Sequence, residues 1–145
     1  MSREIKFRAW HKENKQMVCP DNILIDGDWI RIDFEDNAYP DGSASWYMDN
    51  EDGNEIMQYT GLKDKNGEEI YEGDIVKWDD RSNGKYWRVA IVKINPDIQF
   101  ETFHCKTIPN SESTHTYHYG SFIYTDTENH LEVIGNIYEN PKLLK

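Results

Sequence analysis

His104, Cys105, His115, His118 and His130 gather in the last third of the chain and raise the question of a metal centre. Zinc favours paired ligands of the C-x2-C and H-x3-H kind. The one close histidine pair, His115 and His118, is spaced i, i+3, which on a strand sends the two imidazoles to opposite faces. No metal site is expected from such spacing. Cys105 beside His104 brings a nucleophile next to a base, but neighbours on a strand also point apart, and no nucleophile-elbow or cysteine-protease signature surrounds them. Carboxylate pairs are plentiful: Asp26 and Asp28 flank Gly27, Glu35 adjoins Asp36, and Asp79 adjoins Asp80. In a chain with 27 acidic residues such pairs arise by chance, and none sits in a D-x-D-x-D-G calcium loop. Phosphate-cradling glycine motifs are missing as well. The reading is a protein without catalytic residues, cofactor or metal.

Basic residues interleaved with aromatics are a further candidate, since that pattern stacks single-stranded bases. Lys6, Arg8 and Trp10 share one strand face, Lys77 adjoins Trp78, and Lys85, Trp87, Arg88 and Lys93 follow. Opposing this, the 145 residues carry a net charge of −11, whereas nucleic-acid affinity comes from cations that neutralise phosphates. Nucleic acid is therefore not the expected partner. The charge is unevenly spread. Residues 1–20 hold five cations and two acids, while residues 21–55 oppose eleven acids with Arg31 alone, a local charge of −10. Asp26, Asp28, Asp33, Glu35, Asp36, Asp41, Asp49, Glu51 and Asp52 in that segment are the candidate partner-binding residues. They read either as solvated turns or as a face that binds cations or imitates DNA phosphates.

Period-2 alternation dominates the elements that would position these residues. Ile5, Phe7 and Ala9 alternate with Lys6, Arg8 and Trp10, and Gln16 to Val18 returns as the second arm of a hairpin. Ile23 to Ile25 and Trp29 to Phe34 form another hairpin around Asp26-Gly27-Asp28, where glycine supplies the positive φ of a tight reversal. Residues 35–55 read as a long loop with at most a short strand at Trp46 to Met48. Strands follow at Ile56 to Tyr59, Glu69 to Tyr71, Ile75 to Trp78, Tyr86 to Ile94, Ile98 to Phe103, Tyr117 to Tyr124 and Leu131 to Tyr138. At most one short helix is expected, over Thr125 to Leu131, and Asn140-Pro141 should end regular structure.

Three blocks carry a family resemblance. They are Arg3-Glu4-Ile5-Lys6-Phe7-Arg8-Ala9-Trp10, the stretch from Met57-Gln58-Tyr59-Thr60-Gly61 through Lys65-Asn66-Gly67 to Gly73-Asp74-Ile75-Val76, and Glu132-Val133-Ile134-Gly135-Asn136-Ile137-Tyr138-Glu139-Asn140-Pro141. In this order they closely resemble the YopX family of small phage and prophage proteins. The resemblance implies a mostly-β fold and a phage or prophage source. It transfers no site residues, because the family has no assigned molecular function. Within the middle block, Ile70 to Val76 also resembles the turn-then-strand entry of SH3-like barrels.

The fold class expected is mainly β, a single domain over residues 1–145 built from antiparallel hairpins in a barrel-like or paired-sheet arrangement. Its N-terminal hairpins and acidic loops cover 1–55 and its barrel-like part 56–145, with the core around Phe7, Ile75, Val89, Ile91, Val133 and Ile137. No membrane-length apolar run or signal peptide is visible, and two cysteines outside any metal or redox spacing suit a cytoplasmic protein. The function expected is a non-enzymatic phage or prophage accessory role, exerted by contact with an unknown protein partner or by homo-oligomerisation. Two alternatives stay open: a DNA-mimicking inhibitor of a host nucleic-acid enzyme, and a nucleic-acid binder using the Lys and Trp strand faces.

Overall fold

A computed structural model describes residues 5–12, 15–20, 22–27, 29–33, 45–49, 55–79, 87–108, 111, 115–122 and 130–144; the side chains of 26, 45–49, 121 and 122 are not described. The expected class is observed: strands dominate, every paired strand runs antiparallel, and the one α-helix described is a single turn. Among the described residues no helix is long and apolar enough to cross a membrane. The chain divides into two compact units, one of Ile5–Gln58 and one from Tyr59 onward.

In the first unit, β1 (Phe7–His11) lies between β2 (Gln16–Val18) and the first half of β6 (Glu55–Lys63). A separate three-stranded sheet has the order β3 (Asn22–Asp26), β4 (Trp29–Asp33), β5 (Ser45–Asp49). Ile30 and Ile32 are buried while Trp29 between strand and turn is exposed, so β4 keeps the one-sided alternation of a half-covered sheet. With Ala9, Val18, Ile23 and Ile56 they make this unit's apolar cluster. The expected inward face of the opening strand is corrected. Arg8, Ala9, Trp10 and His11 are all buried, whereas Ile5 is 74% and Phe7 36% exposed. Strand β2 reaches only as far as Ala9, opposite Val18, so Phe7 is flanked by Gln58 alone, while from Ala9 to His11 β1 gains a neighbour on its other side. The stretch 45–49, allowed at most three strand residues, is a full strand because five positions register with β4 from Trp29↔Asp49 to Asp33↔Ser45. The rest of the expected long loop lies outside the described residues.

The second unit contains the remainder of β6, then β7 (Glu69–Tyr71), β8 (Asp74–Asp79), β9 (Trp87–Ile94), β10 (Ile98–Thr102), β11 (Thr116–His118), α1 (Tyr119–Phe122), β12 (Glu132–Asn136) and a 3-10 turn at Pro141–Leu144. Its five-stranded sheet has the order β11, β10, β9, β8, β12. The interior strands β8 and β9 are apolar on both faces, as burial from two sides requires. Val76, Trp78, Ala90, Val92 and Phe100 join Ile70, Ile98 and Leu131 in one cluster. On the opposite face Ile75 and Val89 join Cys105. Trp78 organises the larger cluster, meeting Phe100 and Tyr117 edge-on at centroid distances of 6.2 and 5.5 Å. Of the expected core residues Ile75 and Val89 are buried and Ile91, Val133 and Ile137 half-buried.

Two differences have local causes. The strand expected over Tyr117 to Tyr124 stops at His118 and continues as the turn α1, with Gly120 inside it; the helix expected over Thr125 to Leu131 lies outside the described residues apart from its last two positions. Regular structure does not end at Pro141 but resumes there, since proline's fixed φ and missing N–H suit the first position of a helical turn.

The turn at Lys63 to Gly67 is held by a buried carboxylate. Asp64 accepts from the N–H groups of Asn66 at 2.8 Å and Glu68 at 2.9 Å through Oδ1, and from that of Val133 at 2.9 Å through Oδ2. Lys65 N–H also donates to the Leu131 carbonyl at 2.8 Å, so this turn pins the start of β12. Farther along β12, a Cβ on Gly135 would lie 2.5 Å from Asn140 Oδ1 and 3.0 Å from Asn140 Cβ. The Asn140 side chain cannot yield freely, because its Oδ1 accepts from Asn136 N–H at 3.1 Å.

Replacing Asp64 by alanine removes the acceptor of three part-buried N–H groups and should destabilise the fold by about 1–3 kcal/mol, read from the urea midpoint. Gly135→Ala should cost about 1–3 kcal/mol by overpacking, with Asn140→Ala in the same chain relieving part of that cost in a double-mutant cycle.

Candidate functional site

The hairpin β3–β4 closes tightly. Asp26 pairs with Trp29, leaving a two-residue loop in which Gly27 has φ +60°, and a Cβ there would meet nothing within 4 Å. Glycine is needed at this point for its backbone alone. The hairpin carries an unusual load of uncovered apolar surface: Leu24 is 50%, Ile25 60% and Trp29 56% exposed. Leu24, opposite Arg31, and Trp29 are diagonal neighbours on one face of the sheet, while Ile25, opposite Ile30, opens on the other; exposed apolar side chains grouped on one hairpin mark interaction sites, unlike singly exposed hydrophobes. Among the described residues β3 pairs with β4 only, so it is a sheet edge bearing Ile23-Leu24-Ile25 and neither lysine nor proline.

The candidate acids fall around this hairpin in part. Asp26 and Asp49 are both register partners of Trp29, so the three-stranded sheet brings these two positions to one end. Asp33 sits at the other end, opposite Asn22 and Ser45, with its Oδ1 3.2 Å from Arg31 Nε. Asp28, Glu35, Asp36, Asp41, Glu51 and Asp52 lie outside the described residues.

The other chemical candidates are dispersed. His104, His115, His118 and His130 are exposed, and no group of three or more metal-ligating side chains gathers among the described residues. His115 packs edge-on against Tyr117 at 4.6 Å. Cys105 is buried while His104 beside it is exposed, as expected of neighbours on opposite sides of an extended chain. Ser111 Oγ bridges the loop around the cysteine, accepting from Cys105 N–H at 3.0 Å within reach of the Cys105 and Ile108 carbonyls at 2.9 and 2.8 Å.

The basic and aromatic residues are drawn into the fold. Arg8, Trp10 and Trp78 are buried, and Lys85 lies outside the described residues. Lys77 sits 4.9 Å over the Trp87 ring and 3.6 Å from Glu132, which Lys65 also meets at 3.1 Å; Lys93 pairs with Glu101 at 2.8 Å. The hydrogen bond from Lys65, aided by the charge of Lys77, holds the Glu132 carboxyl below the ordinary glutamate range against a smaller opposing effect of burial.

Sequence reading found this hairpin but not its exposure. A signal was present in three consecutive apolar residues, Ile23-Leu24-Ile25, beside a strand that alternates. Such a run fits either a strand covered on both sides or one left open, and only the arrangement of the sheet decides between them.

Comparison with known proteins places this geometry. The family model described as YopX protein matches residues 6–145. Two solved structures are similar over nearly the whole chain: protein EF1440 from Enterococcus faecalis, at 27% identity and a TM-score of 0.58 with 99% of this chain and 100% of that one covered, and protein yopX from Bacillus subtilis, at 19% identity and 0.58 with 99% and 98% covered. The second likeness, at its low identity, concerns the fold. No curated protein matches the chain.

The Glu132 ion pairs yield a pH prediction. A lowered folded-state value means that their stabilisation is complete above the ordinary value of 4.5 and is lost as the pH falls through the folded value. Wild type should therefore exceed Glu132→Gln by up to about 1 kcal/mol in urea melts at neutral pH, and the two should converge in strong acid.

Proposed function

The chain belongs to the YopX family, and from that premise we propose that it is a non-enzymatic phage or prophage accessory protein that works by protein–protein contact, with the β3–β4 hairpin as its contact surface. The observation that carries this reading is the exposure of Leu24, Ile25 and Trp29 together on one hairpin. Leaving such side chains in water forgoes roughly 1.5–3 kcal/mol for each that burial would recover. A tryptophan flanked by polar positions is also the commonest kind of interface anchor, since it offers a large rigid area at small entropic cost. The local charge of −10 over residues 21–55 favours a contacting surface with donors or cations at its rim.

The DNA-mimic reading uses the same region in another way, with the carboxylates rather than the tryptophan as the recognised groups. It predicts a partner that binds duplex DNA and is displaced by it. The apolar patch favours the contact reading, because a phosphate-imitating face has no use for an exposed Leu24 or Ile25.

A photo-crosslinking amino acid in place of Trp29, compared with one in place of exposed Lys106, tests this function in host cells. Discrete protein adducts from position 29 and none from position 106 are expected; equal labelling at both positions, or none at 29, would overturn it. Trp29→Ala should change folding stability by less than about 0.5 kcal/mol, because the side chain is already largely in water.

A further inference from the structure

We infer that the outer edge of β3 pairs antiparallel with β3 of a second copy of this chain, across a two-fold axis at Leu24, joining two three-stranded sheets into one of six strands. The inference rests on the hairpin being a contact surface and names its occupant.

The register of the hairpin determines which backbone groups are available. With Asp26 and Trp29 closing a two-residue loop, Asp26, Leu24 and Asn22 direct their N–H and C=O groups toward β4. The alternate residues, Ile23 and Ile25, direct theirs away from it. An antiparallel copy centred on Leu24 sets Ile23 opposite Ile25 of the second copy and Ile25 opposite its Ile23, the two places where outward groups on both strands can exchange hydrogen bonds. The axis itself falls at the closely spaced pair of Leu24 with Leu24.

The same register matches side-chain types. Apolar residues oppose apolar residues at the three central positions, and Asp26 opposes Asn22, an amide that can donate to it. Parallel in-register pairing would instead place Asp26 beside Asp26 and bury two like charges together. Moving the antiparallel axis to Ile25 would place Asp26 against Leu24. The Leu24-centred arrangement alone pairs all five residues of β3 without either conflict. It is also isologous and closed, so it stops at two copies rather than propagating as a fibre.

A five-residue edge is small beside the roughly 800 Å² per partner of a standard interface, so the association is weak and concentration-dependent. Sedimentation equilibrium of the full chain should show an apparent mass rising from 17.2 kDa toward twice that value as concentration increases from about 1 to about 300 μM. In L24K two ammonium groups meet at the axis, and in L24E two carboxylates; each variant alone should remain monomeric across that range. Their equimolar mixture should associate at least as tightly as wild type, because unlike charges then face each other. Leu24 is half exposed, so both variants should keep the wild-type circular dichroism and urea midpoint, which separates a lost contact from a lost fold. Wild type that stays monomeric, L24K that associates as wild type does, or a mixture that stays monomeric would each overturn the pairing. If wild type is monomeric while position 29 still yields adducts to another protein, self-pairing fails and the contact reading survives; if position 29 yields none and wild type is monomeric, both fail.

Discussion

The three backbone hydrogen bonds accepted by the buried Asp64 carboxylate are the constraint on which the second unit depends. Two of them close the turn from Asp64 to Glu68, and the third reaches Val133, 69 positions away in the chain. Strand β12 occupies the edge of the five-stranded sheet, so nothing beyond it in the sheet limits where it starts. Asp64 supplies that limit, and the Lys65 to Leu131 hydrogen bond repeats it. With its backbone held there, Leu131 enters the cluster beneath Val76 and Trp78 as a fully buried side chain. A charge is costly to bury unless its hydrogen bonds are satisfied, and here three N–H donors supply them. The same carboxylate thus solves a turn problem and a long-range pairing problem.

The two units show different solutions to covering a sheet. In the second, the interior strands β8 and β9 of a five-stranded sheet are apolar on both faces, with a separate cluster on each face. In the first, the three-stranded sheet covers Ile30 and Ile32 but leaves Leu24, Ile25 and Trp29 in water. A small sheet has proportionally more edge than a large one. Its apolar residues must either be few or find cover from outside, and the hairpin retains three.

How much of this was legible from the sequence depended on whether the deciding interaction was local. The hairpin at Gly27 was legible because a two-residue Asp-Gly reversal between alternating runs carries its own signal, and the Asn66-Gly67 turn was legible for the same reason. Strand existence survived well, from β1 to β12. Inward and outward assignment did not: Phe7 is exposed while Arg8, Ala9, Trp10 and His11 are all buried, an arrangement that no alternation pattern contains. Strand β5 was underestimated because its aspartates and polar flanks resemble a loop until β4 offers five pairing partners. The opening Lys6, Arg8 and Trp10 looked like a stacking face, yet Arg8 and Trp10 are buried in the fold. Of the candidate acids, the placement of positions 26 and 49 at one end of the sheet follows from the β3–β4–β5 register, whereas Asp33 turned out to be occupied by a neighbour two residues away on its own strand.

Charge and apolar exposure in the acidic segment act against each other, and their balance describes what kind of contact the hairpin can make. Residues 21–55 carry eleven acids and one cation, so any two such segments repel at range, more strongly at low ionic strength. The β3 edge, with Leu24 and Ile25 exposed, attracts only at contact, where water is removed. A flat apolar edge without charge is an aggregation site; acids at its end act as gatekeepers that penalise registers bringing carboxylates together. Only an alignment that keeps Asp26 away from other carboxylates while covering Leu24 and Ile25 gains from both terms. Salt that screens the long-range repulsion leaves the contact attraction in place, so such an association strengthens with ionic strength, opposite to the behaviour of a phosphate-binding surface. The acidic composition of this chain is thus compatible with an adhesive edge, and narrows the ways in which that edge can be used.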